Sequence, residues 1–174
     1  MKFLSDIRLL LLGLWLGAAV FFIGAAQIAF KVLQQRELAG SVVGADLSLL
    51  NYCGLGVSAL LILLSFVGTS LVNRFWLWVE RFLLLVLGVA CAAGQFLIGF
   101  WLSSLRAQMG KPIDELAADD PLKVQFDALH EYSVWILFTA MIAALIAFFI
   151  IANRKFGAKA VKADPFDFSK EFKV

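Results

Sequence analysis

The sequence predicts an all-α fold, a four-helix transmembrane bundle with its fourth helix extended beyond the outer membrane face. Three observations carry this. First, 62% of the 174 residues are hydrophobic and only 16% are charged, against roughly 25% charged in an average soluble domain. A 19.2 kDa soluble globule needs far more polar surface, and disorder is excluded by the same apolar excess. Second, four stretches are long and apolar enough to cross a hydrocarbon core, which takes about 20 helical residues. Third, no alternating ten-residue strands occur, so helices rather than a barrel satisfy the backbone amides in lipid.

The spans are expected at about 9–30, 47–72, 82–102 and 133–152. They make one transmembrane domain over 1–153, followed by a mobile basic cytoplasmic tail over 154–174. The first span is broken only by Gln27, and it is longer than a signal-peptide core and carries Trp15. It is therefore expected as an uncleaved helix. Beyond it, residues 31–38 continue the helical pattern, and Gly40 and Gly44 are expected to permit a turn. The second span holds Asn51 and no charge. The short loop that follows places Trp76 and Trp78 beside Arg74, an interfacial aromatic belt. Glu80 and Arg81 come next and are expected at the surface, pairing weakly with headgroups or neighbours. Gly110 and Pro112 close the third helix. Asp119-Asp120-Pro121 then gives an aspartate cap with proline at the first helical position. One helix from about Pro121 to Asn153 is expected, roughly 50 Å long at 1.5 Å per residue. The acids Asp114, Glu115, Asp119 and Asp120 read as capping and solvation rather than as a metal site.

Basic residues set the orientation. Ten of them (Lys2, Arg8, Arg74, Arg81, Arg154, Lys155, Lys159, Lys162, Lys170, Lys173) share the side of both termini, against five on the other. The positive-inside rule puts both termini in the cytoplasm of a bacterial inner membrane. Eight acids fall outside against five inside. The basic start of the tail, Arg154-Lys155, is expected to attract anionic lipid headgroups. The net charge of +2 gives no case for nucleic acid.

Helices in lipid associate through small residues. Gly13, Gly17 and Gly24 are the expected packing face of the first helix, with Gly54, Gly56, Gly88 and Gly99 opening grooves in the next two. A homo-oligomer or membrane partner is the alternative use of the same glycines. Polar side chains within the spans are the better functional clue. Gln27, Asn51, Tyr52, Gln95 and His130 all fall in the outer half of the predicted layout, whereas the inner half is almost wholly Leu, Val, Phe and Ala. That asymmetry favours an outward-facing polar pocket for a small ligand, lipid or partner. Interhelical hydrogen bonding, worth ~1 kcal/mol per bond, is the plainer account of the same residues. The alternative function is a small transporter or channel subunit with a polar path along Gln27, Asn51, Gln95 and His130. A redox subunit is disfavoured, because bis-histidine haem needs two histidines and His130 is the only one. No metal or cofactor is expected. Cys53 and Cys91 are expected at different depths and unbonded. No nucleophile elbow, P-loop, CxxC or HExxH pattern occurs, so no enzyme is expected.

Several ordered motifs carry a family likeness. They are Leu12-Gly13-Leu14-Trp15-Leu16-Gly17, Ala39-Gly40 with Val43-Gly44, Leu105-Arg106-Ala107-Gln108-Met109-Gly110, Asp119-Asp120-Pro121, Phe126 and Leu129-His130. Together these resemble the transmembrane-protein-205-like family over roughly residues 9–152. The resemblance implies a four-helix membrane domain and no particular activity. Its recurring leucine–histidine step draws attention to His130.

Overall fold

The structure is a computed structural model and describes residues 2–66, 74–117 and 119–154. In chain order it contains α1 (Lys2–Val32), α2 (Arg36–Leu64), α3 (Arg74–Ala92), a π-helical turn (Ala93–Ile98), α4 (Gly99–Met109), a 3-10 turn (Ile113–Glu115) and α5 (Pro121–Ala152). α3, the π turn and α4 form one apolar rod, so four helices are long and apolar enough to cross a membrane. Only 17–28% of the residues in each apolar window are buried against other helices. The remaining apolar surface, Phe21, Phe100 and Trp135 among it, faces outward. A soluble bundle would bury such residues; lipid makes their exposure favourable.

The rods surround one core in the order α1, α2, α3, α5, with α1 and α3 each touching both α2 and α5. α2 and α3 are antiparallel, because Ser65 meets Arg81, Ser58 meets Gly88, Gly54 meets Cys91 and Asn51 meets Gly94. Leu12, Trp15, Leu50, Leu61, Leu84 and Leu87 fill the centre. α5 contributes Ala140, Ala143, Ala144, Ala147 and Ile151. These recur every three or four residues on one face, and the small volume of the four alanines lets α5 come close to α3. A smaller apolar cluster of Leu105, Met109 and Leu116, with Phe126 and Leu129 against it, seals the end of the bundle where α4 passes to α5.

Helix boundaries depart from the hydropathy reading in informative places. α2 begins at Arg36, not near residue 47, and the turn lies at residues 33–35. Gly40 and Gly44 are inside α2 rather than in a turn. Gly40 serves close approach: a Cβ there would lie 3.1 Å from Nη2 of Arg106. The third rod runs from Arg74 to Met109, beyond the expected 82–102 at both ends. Charged helix ends lower mean hydropathy without ending a helix, which is why a span estimate falls short of them. The third rod does stop at Gly110, which closes α4 in the left-handed conformation (φ 64°) that glycine adopts without strain.

α5 starts as the sequence implies. The Asp120 side chain accepts a hydrogen bond from the Leu122 amide at 2.9 Å, and Pro121 occupies the first turn. Asp120→Ala is expected to cost about 1 kcal/mol through loss of this cap. Chemical denaturation in detergent, followed by circular dichroism, checks the value. The end of the second predicted span, residues 67–72, and the tail from residue 155 lie outside the described residues.

Candidate ligand groove and buried ion cluster

Residues 93–98 wind as a π turn, in which Gly99 donates its amide to the Gly94 carbonyl. A π turn inserts one residue into the α ladder, and one residue is about 100° of helical rotation. The turn also draws Gly94 against α2. A Cβ on Gly94 would lie 3.1 Å from Nδ2 of Asn51, so glycine leaves the space that the Asn51 amide occupies.

Beside this turn a groove of about 630 Å³ opens on the flank of the bundle. Its lining includes Ser48 and Asn51 from α2, Gly94 and Gln95 from the π turn, Arg106 from α4 and Ser133 from α5. Its remaining walls are largely apolar, with Leu47, Phe96, Ile98, Phe100 and Leu102. Asn51 is only 6% exposed, and its carboxamide makes no hydrogen bond among the described residues. The amide is not sealed in, since it lines the groove and neither of its polar atoms is both fully buried and unpartnered. Burying an amide without a partner in apolar surroundings costs a few kcal/mol. A donor or acceptor supplied from the groove removes that cost.

The five sequence-predicted pocket residues divide. Asn51 and the half-buried Gln95 are brought together at the groove. Tyr52 is half exposed and sets its ring edge-on to Phe96, with centroids 6.2 Å apart, so it flanks the groove without lining it. Gln27 and His130 are exposed and do not line it. Asn51 also sits midway along α2 rather than near its start, because the helix begins at Arg36. Arg106 was the missed residue. It is exposed, lines the groove toward the α4–α5 end, and places its guanidinium 5.3 Å from the centroid of Phe126.

The predicted packing glycines divide as well. A Cβ on Gly13 would touch Phe148 of α5 at 3.6 Å, whereas Gly17 and Gly24 meet nothing within 4 Å among the described residues. The close approaches lie at Gly54, against Cys91 and Trp15, and at Gly88, against Ser58. Cys53 and Cys91 are both free. Their depths differ less than expected, since Gly54 packs on the Cys91 sulfur. What separates them is direction, with Cys53 exposed and Cys91 buried.

At the opposite end of the bundle, Glu80 is fully buried. This corrects the expectation of a surface pair with little energetic weight. Its carboxylate meets Arg8 of α1 at 3.5 Å and bonds Arg154, two residues past the end of α5 and grouped with the tail by the sequence. Arg8 also donates to the Leu64 carbonyl at the end of α2. One carboxylate thus ties α1 and the end of α5 to α3, and Arg8 extends the tie to α2. Arg81 does not share this carboxylate. It donates to the Ser65 hydroxyl and carbonyl at 2.9 and 3.0 Å and lies 4.1 Å over Phe66. Burial, and then the charge of Arg8, pull the Arg154 guanidinium below its ordinary pKa range. Helical period shows why Glu80 turns inward: it shares the buried face of α3 with Leu77, Leu84, Leu87 and Cys91.

Most of the groove lining and the central carboxylate of the ion cluster lie in a recognised domain, since residues 10–111 match a domain of unknown function, DUF4149. The chain belongs to the DUF4149 family. The match covers α2, α3, the π turn and α4, with most of α1. Asn51, Gln95, Arg106 and Glu80 fall inside it; Arg8, Arg154 and α5 fall outside. Comparison with curated proteins and with solved structures gave no match. With four helices long and apolar enough to cross a membrane, this DUF4149 chain is a multi-pass integral membrane protein.

Proposed function

We propose that the chain is a non-enzymatic membrane module whose lateral groove binds a lipid-like molecule through the Asn51 carboxamide. The observation that carries this is the Asn51 carboxamide, only 6% exposed, unpartnered among the described residues and lining the groove. The groove volume lies within the roughly 300–1,000 Å³ range of ligand sites, and its mixed lining suits an amphipathic occupant. Arg106 would hold an anionic or strongly polar group toward the α4–α5 end. Along α2, Gly40 beside Arg106 and Asn51 are separated by about 16 Å at 1.5 Å per residue. The occupant therefore needs two polar groups at about that separation, or one polar group and a flexible chain.

A transporter or channel subunit needs a polar path past the layer of Leu12, Leu61, Leu84 and Leu87, all fully buried between the groove and the ion cluster. The likeness to the transmembrane-protein-205-like family is kept as part of this reading, as is an orientation with both termini cytoplasmic in a bacterial inner membrane. Labelling of single cysteines placed in the tail tests orientation; modification by an impermeant reagent from outside overturns it.

The test of the groove is mass spectrometry of the small molecules that co-purify with the protein. Asn51→Leu, which removes the amide at similar volume, is expected to lower one bound species at least fivefold while the helical signal is retained. An unchanged set of bound molecules in Asn51→Leu and in Gly94→Leu would sink the proposal.

A further inference from the structure

A second cavity lies at the other end of the bundle and is independent of the groove. It measures about 450 Å³ and is lined by Phe66, Arg74, Leu77, Trp78 and Arg81. Two guanidinium groups therefore border one space together with an indole and a phenyl ring. Arg81 is held in place by its two hydrogen bonds to Ser65 and by its position over the Phe66 ring. A fixed guanidinium loses little entropy when it binds an anion.

The charge behind this cavity strengthens the case. Arg8 and Arg154 share the single carboxylate of Glu80, and Arg81 bonds Ser65 rather than that carboxylate. No acidic residue lines the cavity among the described residues. Cations crowded at the end of apolar helices, where the local dielectric is low, favour a bound counter-anion. Arg74 and Trp78 stand in the first turns of α3, next to the apolar rod, at the level where phospholipid phosphates meet hydrocarbon.

We infer that this cavity binds the phosphodiester of an anionic phospholipid, with Arg74 and Arg81 on its oxygens and Trp78 and Phe66 flanking its glycerol region. An acyl chain leaving the cavity then lies along exposed apolar surface such as Phe82 and Leu85 of α3. The lipid also neutralises the neighbouring charges of Arg74 and Arg81, so occupancy stabilises this end of the bundle.

The experiment is thermal unfolding of the full chain in neutral detergent, with phosphatidylglycerol, phosphatidylcholine or soluble glycerol phosphate added. Phosphatidylglycerol is expected to raise the midpoint by several degrees more than phosphatidylcholine, and glycerol phosphate to leave it unchanged. Arg74→Gln, at an exposed position, is expected to lose at least half of the phosphatidylglycerol increment, and Arg74→Gln/Arg81→Gln to lose all of it. Asn51→Leu is expected to keep the increment, which separates this site from the groove. An equal increment in wild type and Arg74→Gln overturns the inference. So does an equal response to the two lipids, or the same rise with glycerol phosphate, which would make the site one for free anions.

Discussion

Glu80→Gln is expected to destabilise the bundle by about 3–5 kcal/mol, the cost typical of removing one partner from a buried ion pair. The carboxylate is fully buried and is the counterion of both Arg8 and Arg154. Its loss leaves two guanidiniums to repel each other where water cannot solvate them well. The Nε atoms of Arg8 and Arg154 are already buried without partners, so little spare hydrogen bonding exists to absorb the change. Glu80→Asp is expected to lie between wild type and Glu80→Gln, because the charge is kept and the reach is shortened. Replacing the group together, as Arg8→Met/Glu80→Leu/Arg154→Met, is expected to recover most of the loss, since an apolar substitute removes the desolvation cost of all three charges. Reversible denaturation in mixed micelles gives the comparison. A loss below about 1 kcal/mol for Glu80→Gln would show that the cluster behaves like an exposed pair.

Gly54→Ala has the next largest expected effect, about 1–3 kcal/mol, the range for overpacking a filled core. An added Cβ would lie 2.5 Å from the Cys91 sulfur and 2.8 Å from Nε1 of Trp15. Neither neighbour retreats freely. Cys91 is buried in the core, and the Trp15 indole donates to the Leu50 carbonyl at 3.1 Å. Cys91→Ala removes the sulfur and is expected to restore part of the stability of Gly54→Ala; the remainder measures the strain against Trp15. Gly56→Ala is the control, because a Cβ there meets nothing within 4 Å among the described residues and alanine is the better helix former. Equal losses at Gly54 and Gly56 would show that helix propensity, not packing, governs both positions.

Much of the fold was legible because lipid imposes strong local rules. Long apolar runs must be helical, and Gly110 and Asp120-Pro121 mark helix ends through chemistry confined to a few residues. The site was legible only in part. An uncharged polar residue in a span is conspicuous, so Asn51 and Gln95 stand out. Their partners in the groove come from other helices, and the face each one takes depends on the π turn, which has no distinct composition. Gln27 and His130 were conspicuous in the same way and lie elsewhere on the surface.

Composition and periodicity determined that this chain is a four-helix membrane bundle, because the cost of exposing backbone to lipid is paid residue by residue and can be counted along the sequence. Tertiary structure alone decided what its charges and glycines do. Glu80, Arg8 and Arg154 are far apart in sequence, and each by itself resembles an interfacial charge. Their burial follows from three helix ends converging at one point. The same holds for Gly54 and Gly94 against Gly17 and Gly24. Absence of a side chain is identical at all four, and only the neighbouring helix makes it a contact at two of them.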